Sequence, residues 1–243
     1  MFGISFETWT SVCQMYCDLE DRRKSSYLQW FPFSKLRKND YEKLTSREFF
    51  EKYIQTGAFV ISRAMMHQSE NYLQKGDGSF RDSTLLSPIL YLVLQSIGKE
   101  ISNKYKIQRE SEIEVYYAGN YNYMRPIYKQ DYDDFYKSIN FNIQKYQYFI
   151  KTDVSNFFSN INVDLLIKKI DCICNKETIG FTQSQLMIFK EFLLYCGGGR
   201  FPLVENSVAS SFLATIVYLD DIDIRINNFI RSNLSELFLG GSI

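Results

Sequence analysis

A helix-rich α+β domain is the fold class this sequence predicts. Three observations predict it. Apolar residues recur every three or four positions through several stretches, one short run is rich in aromatic and β-branched types, and a glycine-containing turn interrupts the helical pattern.

The first seventy residues read as helices, with Leu44, Phe49, Phe50, Tyr53 and Ile54 at roughly helical spacing. Gln74 to Ser79, which contains Gly76 and Gly78, is a turn. Leu85, Leu86, Ile89, Leu90, Val93, Leu94, Ile97 and Ile101 then mark a helix buried along one side. Residues 146 to 154, YQYFIKTDV, predict a strand that ends at Asp153. Asn162 is placed to cap a short helix through Val163, Leu166, Ile167 and Ile170. Thr182 and Gln185 form a capping-box pattern ahead of Leu186, Phe189, Leu193 and Leu194, and Gly197, Gly198 and Gly199 stop that helix. A last long helix starts near Asn206 or Ser207.

With 243 residues, 45% of them apolar, the chain can bury one good core, which excludes fibrous and disordered classes. No apolar run is long enough to cross a bilayer, and Met1 to Ile4 do not begin a signal peptide, so a cytoplasmic protein is expected. The five cysteines, Cys13, Cys17, Cys172, Cys174 and Cys196, contain no CxxC pair and read as reduced core thiols. The 28 basic and 28 acidic side chains cancel, which counts against a freestanding nucleic-acid binder. Locally the balance shifts: between Asp21 and Glu48 eight Lys/Arg, including Arg22, Lys35, Lys43 and Arg47, stand against four acids. Tyr27, Trp30, Phe31 and Phe33 interleave with them, a pattern suited either to single-stranded nucleic acid or to a solvated face with aromatic anchors.

Three segments carry chemistry. Lys75-Gly76-Asp77-Gly78-Ser79-Phe80-Arg81 is a glycine turn flanked by two cations, each able to neutralise phosphate oxygens. Asp153, at the end of the predicted strand in Lys151-Thr152-Asp153-Val154-Ser155-Asn156-Phe157-Phe158, can offer a carboxylate to Mg²⁺, with the following carbonyl as another hard oxygen ligand. Arg200-Phe201-Pro202-Leu203 leads through Glu205-Asn206-Ser207 into a helix that opens with small residues, which allows close approach to a base pair.

In this order and spacing the segments resemble the fingers hairpin, motif A and motif B of reverse transcriptases, especially those of the bacterial abortive-infection and phage-defence group. The resemblance spans residues 75 to 223. It implies a right-hand polymerase fingers and partial palm with a small antiparallel sheet: a helical N-terminal extension over 1–70, fingers over 71–145 and palm over 146–243. It also implies roles. Lys75 and Arg81 would meet the incoming nucleotide, Asp153 and the Val154 carbonyl would hold Mg²⁺, Phe158 would sit against the sugar, and Asn206 would line the nucleotide site where glycine is usual. The implied partners are a single-stranded RNA template, a DNA product and deoxynucleotides, with no membrane.

Such a polymerase needs a further carboxylate motif, Tyr-x-Asp-Asp, at a hairpin turn after motif B. Tyr218-Leu219-Asp220-Asp221 spells it, yet Phe212, Leu213, Ile216, Val217 and Leu219 continue a helical pattern, which makes Asp220 and Asp221 a solvated helix end. The chain is therefore expected to stop before its catalytic core is complete and to be inactive alone. Two other readings stay open: an inactive polymerase-like module that holds RNA, and a helical interaction domain whose aromatic-rich segment Tyr116 to Arg125 builds a partner surface. Arg125 and Lys129 are candidates for template contact in the polymerase reading.

Overall fold

The structure, a computed structural model, describes residues 3–17, 38–63, 65–74, 76, 78–105, 114–116, 128–145, 153–174, 180–204, 207–233 and 240–242. Helix α1, Phe6–Cys17, begins after Ser5, whose hydroxyl accepts the Thr8 N–H at 3.1 Å. Trp9, Val12, Cys13 and Tyr16 fall on its buried face, and the Trp9 indole N–H reaches the Leu44 carbonyl at 2.7 Å. Leu44 closes α2, Lys38–Leu44. A short helix α3, Arg47–Phe49, capped by Ser46, widens into a π-helical segment at Phe50–Gln55. Gly57, at φ 74°, turns the chain into a 3₁₀ turn at Ala58–Ile61.

Strands β1, Gln68–Gln74, and β2, Phe80–Leu86, pair antiparallel around the glycine turn. Leu85 and Leu86 therefore end a strand instead of starting the next helix. Proline explains the difference: α4 runs Pro88–Lys104, and Pro88 forces Ser87 out of the helical region, to ψ 155°. The Ser87 hydroxyl in turn caps the Leu90 N–H. α4 is the central helix, with Leu90, Leu92, Val93, Leu94 and Ile97 almost wholly excluded from solvent. α1 lies along it, and the Glu100 carboxylate accepts from both the N–H and the hydroxyl of Ser5 at 2.8 and 2.7 Å.

Beyond α4, β3, Glu114–Tyr116, and β4, Gly240–Ser242, form a short parallel pair beside α5, Tyr128–Lys145. The predicted strand at 146–154 lies outside the described residues except for Asp153 and Val154, which are irregular. A 3₁₀ turn at Phe158–Asn160 follows. Helix α6, Val163–Cys174, has the Asn162 side chain accepting the Leu165 N–H at 3.0 Å. α7, Gln183–Cys196, carries both bonds of the Thr182–Gln185 capping box. Left-handed Gly198 and Gly199 turn the chain out of it, and position 197 takes only glycine because a Cβ there would lie 2.1 Å from the Arg200 carbonyl oxygen. α8, Val208–Ser211, widens into a π-helical segment at Phe212–Val217, and α9 spans Asp220–Asn233.

One contiguous apolar cluster links Trp9, Phe50, Leu90, Leu166, Phe189 and Leu213, so the three expected segments share a core. The expected boundary between residues 70 and 71 falls inside β1. Cys13, Cys174 and Cys196 are buried thiols, whereas Cys172 is exposed, which corrects the reading of every cysteine as core. Desolvation pushes the Cys174 thiol up to about 11. Among the described residues no helix is long and apolar enough to cross a membrane.

Candidate functional site

The hairpin, the turn after Asp153 and the loop after α7 meet at one cleft. The β2 edge opposite β1 is met by the loop: the Thr84 N–H donates to the Leu203 carbonyl at 2.8 Å, and Thr84 bridges Val204 in parallel. Glu70, Tyr72 and Asp82 of the hairpin, Ser159 of the 3₁₀ turn, and Arg200 and Phe201 of the loop line the cleft. It encloses about 60 Å³, room for a few ordered waters.

Behind Ser159, the half-buried Phe158 ring stacks on Phe201, with centroids 6.4 Å apart and planes inclined by 28°. Phe157 meets Phe158 edge-on at 5.3 Å and Tyr218 at 6.5 Å. Asn156 takes a left-handed φ of 52°, a conformation Asn tolerates, and its carbonyl accepts from the Asn160 side chain at 3.0 Å. That turn carries the chain from exposed Asp153 and Val154 to the two inward rings.

Charge in the cleft is mixed. Tyr72 donates to a Glu70 carboxylate oxygen at 3.2 Å, and the charge of Glu70 first, then that bond and Asp82, raise its phenol above the ordinary value against the opposing pull of Arg200. Arg200 is the cation that lines the cleft among the described residues. Arg81, expected to meet phosphate, is exposed and does not line the cleft, whose β2 wall runs from Asp82 to Thr84. The signal that could have found Arg200 is its place between three turn glycines and Pro202.

Lys75 and Asn206 lie outside the described residues, as do Arg125 and the part of the basic stretch from Arg22 to Arg37. Lys129 falls within α5, but its side chain is not among those described. Arg47, from the same basic stretch, packs its guanidinium over the Phe6 ring at 4.4 Å and pairs with Glu51 at 3.6 Å.

Tyr218, Asp220 and Asp221 are all engaged elsewhere. The Tyr218 hydroxyl accepts the Asn162 N–H at 3.2 Å, and Lys169 donates to the Tyr218 carbonyl at 2.5 Å and to the Asp221 carboxylate. Partial burial pushes the Asp221 carboxyl upward, but the bond and charge of Lys169 outweigh it and hold the group below its usual value. Asp220 is buried and accepts from the Tyr105 hydroxyl at 3.1 Å. This corrects the solvated helix end expected for Asp220, whereas Asp221 stays about half exposed at the start of α9. The stretch is a turn entering a helix, with no strand on either side of it among the described residues.

Asp153 and Val154, expected to hold Mg²⁺, are both exposed and irregular. Among the described residues no group of three or more His, Cys, Asp or Glu side chains is placed to hold a metal ion. Compared with known proteins, the sequence matches no family model and no curated protein.

Proposed function

We propose that this chain is a polymerase domain of the reverse transcriptase kind, acting in the bacterial cytoplasm in defence against phage, that engages a deoxynucleoside triphosphate and an RNA template strand. The observation that carries the reading is the meeting of its three motif-like segments. Stretches of sequence as far apart as Asp82, Ser159 and Arg200 line one cleft, with Phe158 stacked behind it. In this reading Phe158 lies against the sugar, Arg200 supplies positive charge beside the phosphates, and Asp153 with the Val154 carbonyl presents oxygen ligands to Mg²⁺. The further carboxylates that phosphoryl transfer requires do not come from Asp220 or Asp221, which hold α9 in place. The chain on its own therefore binds without turning over. That same engagement favours a second reading, a polymerase-like module that holds RNA and carries out no chemistry.

The test is a calorimetric titration of the 243-residue chain with dATP and with ATP in the presence of Mg²⁺. Binding of dATP about tenfold tighter than ATP is expected, equivalent to roughly 1.4 kcal/mol. Phe158→Ala should abolish the preference, and Arg200→Ala should weaken both ligands. Absence of nucleotide binding with retained RNA affinity would favour the second reading, and binding indifferent to Asp153→Asn, Phe158→Ala and Arg200→Ala would overturn the first.

A further inference from the structure

Gln95 lies in the middle of α4 with no solvent exposure. Its amide nitrogen donates to the Ser207 hydroxyl at 2.7 Å, and its amide oxygen accepts the Ala209 N–H at 3.0 Å and the Tyr16 hydroxyl at 3.2 Å. The amide has one workable orientation, because the backbone N–H of Ala209 can only donate. That N–H is one of the first-turn amides no preceding carbonyl can satisfy. Ser207 satisfies the next one along, from Ser210, at 3.0 Å. A side chain more than a hundred positions away thus completes the cap of the helix behind the cleft loop.

The two walls of the cleft hang from the same helix. β2 enters α4 through Ser87, whose N–H is held by the His67 carbonyl at 2.8 Å. The loop is held about two turns further along, at Gln95. Between these points α4 ties the two walls to one rigid element, beside their direct contact at Thr84 and Leu203.

We propose that Gln95 is a positioning residue of the cleft, holding the start of α8 at Ser207 and Ala209 so that the 200–204 wall keeps its place beside the hairpin, and that Tyr16 fixes Gln95, so that helix α1 governs the shape of the site. The positioning role stands on geometry alone; its effect on a nucleotide rests on the polymerase reading. The test is hydrogen exchange by mass spectrometry on the full chain, with Gln95→Met, which keeps length and volume but makes none of the three bonds. Peptides covering 200–211 should exchange about tenfold faster, as loss of one net hydrogen bond predicts. Peptides covering 163–196 should be unchanged. Tyr16→Phe should give a smaller rise in the same peptides and add nothing in the Gln95→Met background; it also serves if Gln95→Met does not fold. Leu166→Ala, a core substitution in α6, should loosen α6 without this local signature.

A second readout separates positioning from general weakening. The affinity for dATP with Mg²⁺ should fall about tenfold in Gln95→Met and stay at the wild-type value in Leu166→Ala. Unchanged exchange at 200–211, or a uniform rise along the chain, would overturn the proposal. Faster loop exchange in a protein that binds no nucleotide would support the positioning role and overturn the polymerase reading instead.

Discussion

Replacing Lys169 with methionine tests what holds Tyr218 to Asp221 in place. The Lys169 side chain is 17% exposed, and its ammonium makes a bond to the Tyr218 carbonyl, a bond to Asp221 and a cation–π contact with the Tyr218 ring at 5.1 Å. Asp221 is 47% exposed, so solvent screening limits the ion pair to about 0.5 kcal/mol. The charged bond to the sheltered carbonyl contributes about 1.5 kcal/mol. A loss of about 2 kcal/mol should lower the melting temperature by roughly 4–8 °C in a chain of this size. The pH dependence has a definite sign. Asp221 has a depressed carboxyl in the folded protein, so its stabilisation is complete above the ordinary carboxylate value near pH 4 and is lost as pH falls through the lower folded value. The gap between wild type and Lys169→Met, followed by circular dichroism melts from pH 7 down to about pH 3, should therefore narrow at the acid end. A gap that is absent at pH 7, or that widens on acidification, would refute the ion-pair account. Nucleotide incorporation gained in Lys169→Met would refute the view that Asp221 is purely structural.

Gly197→Ala should cost about 2–4 kcal/mol, because the new Cβ meets the Arg200 backbone and the loop must move; urea unfolding with intrinsic fluorescence measures it. In the folded protein iodoacetamide should modify Cys172 quickly and spare Cys13, Cys174 and Cys196 until denaturant is added, as peptide mapping by mass spectrometry would show. Burial raises the thiols of Cys174 and Cys196, which further slows their reaction.

Short-range physics made much of the fold legible. Asn162, Thr182 with Gln185, and Gly197 each act on backbone groups within a few residues, and each sits in the structure where its chemistry places it. The Leu85–Leu86 misreading came from trusting periodicity over the restraint that Pro88 imposes on its predecessor. The site was less legible, because its partnerships are long-range. Gln95 with Ser207 spans 112 positions and Tyr105 with Asp220 spans 115, distances at which side-chain spacing carries no information. Arg200 carries no such spacing signal either, since it reaches the cleft through a loop that meets β2 more than a hundred positions away in the chain.

The widened turn at Phe212–Val217 sets the rotational phase of everything that follows it. There the Tyr218 N–H bonds five residues back, to the Leu213 carbonyl, at 3.0 Å. Removing one residue from this segment would let it close to an ordinary α-turn and leave α9 in the same rotational phase. The buried polar slots of α9 belong to Asp220 and Asn227. A deletion taken up by the widened turn therefore leaves both slots filled by the same side chains.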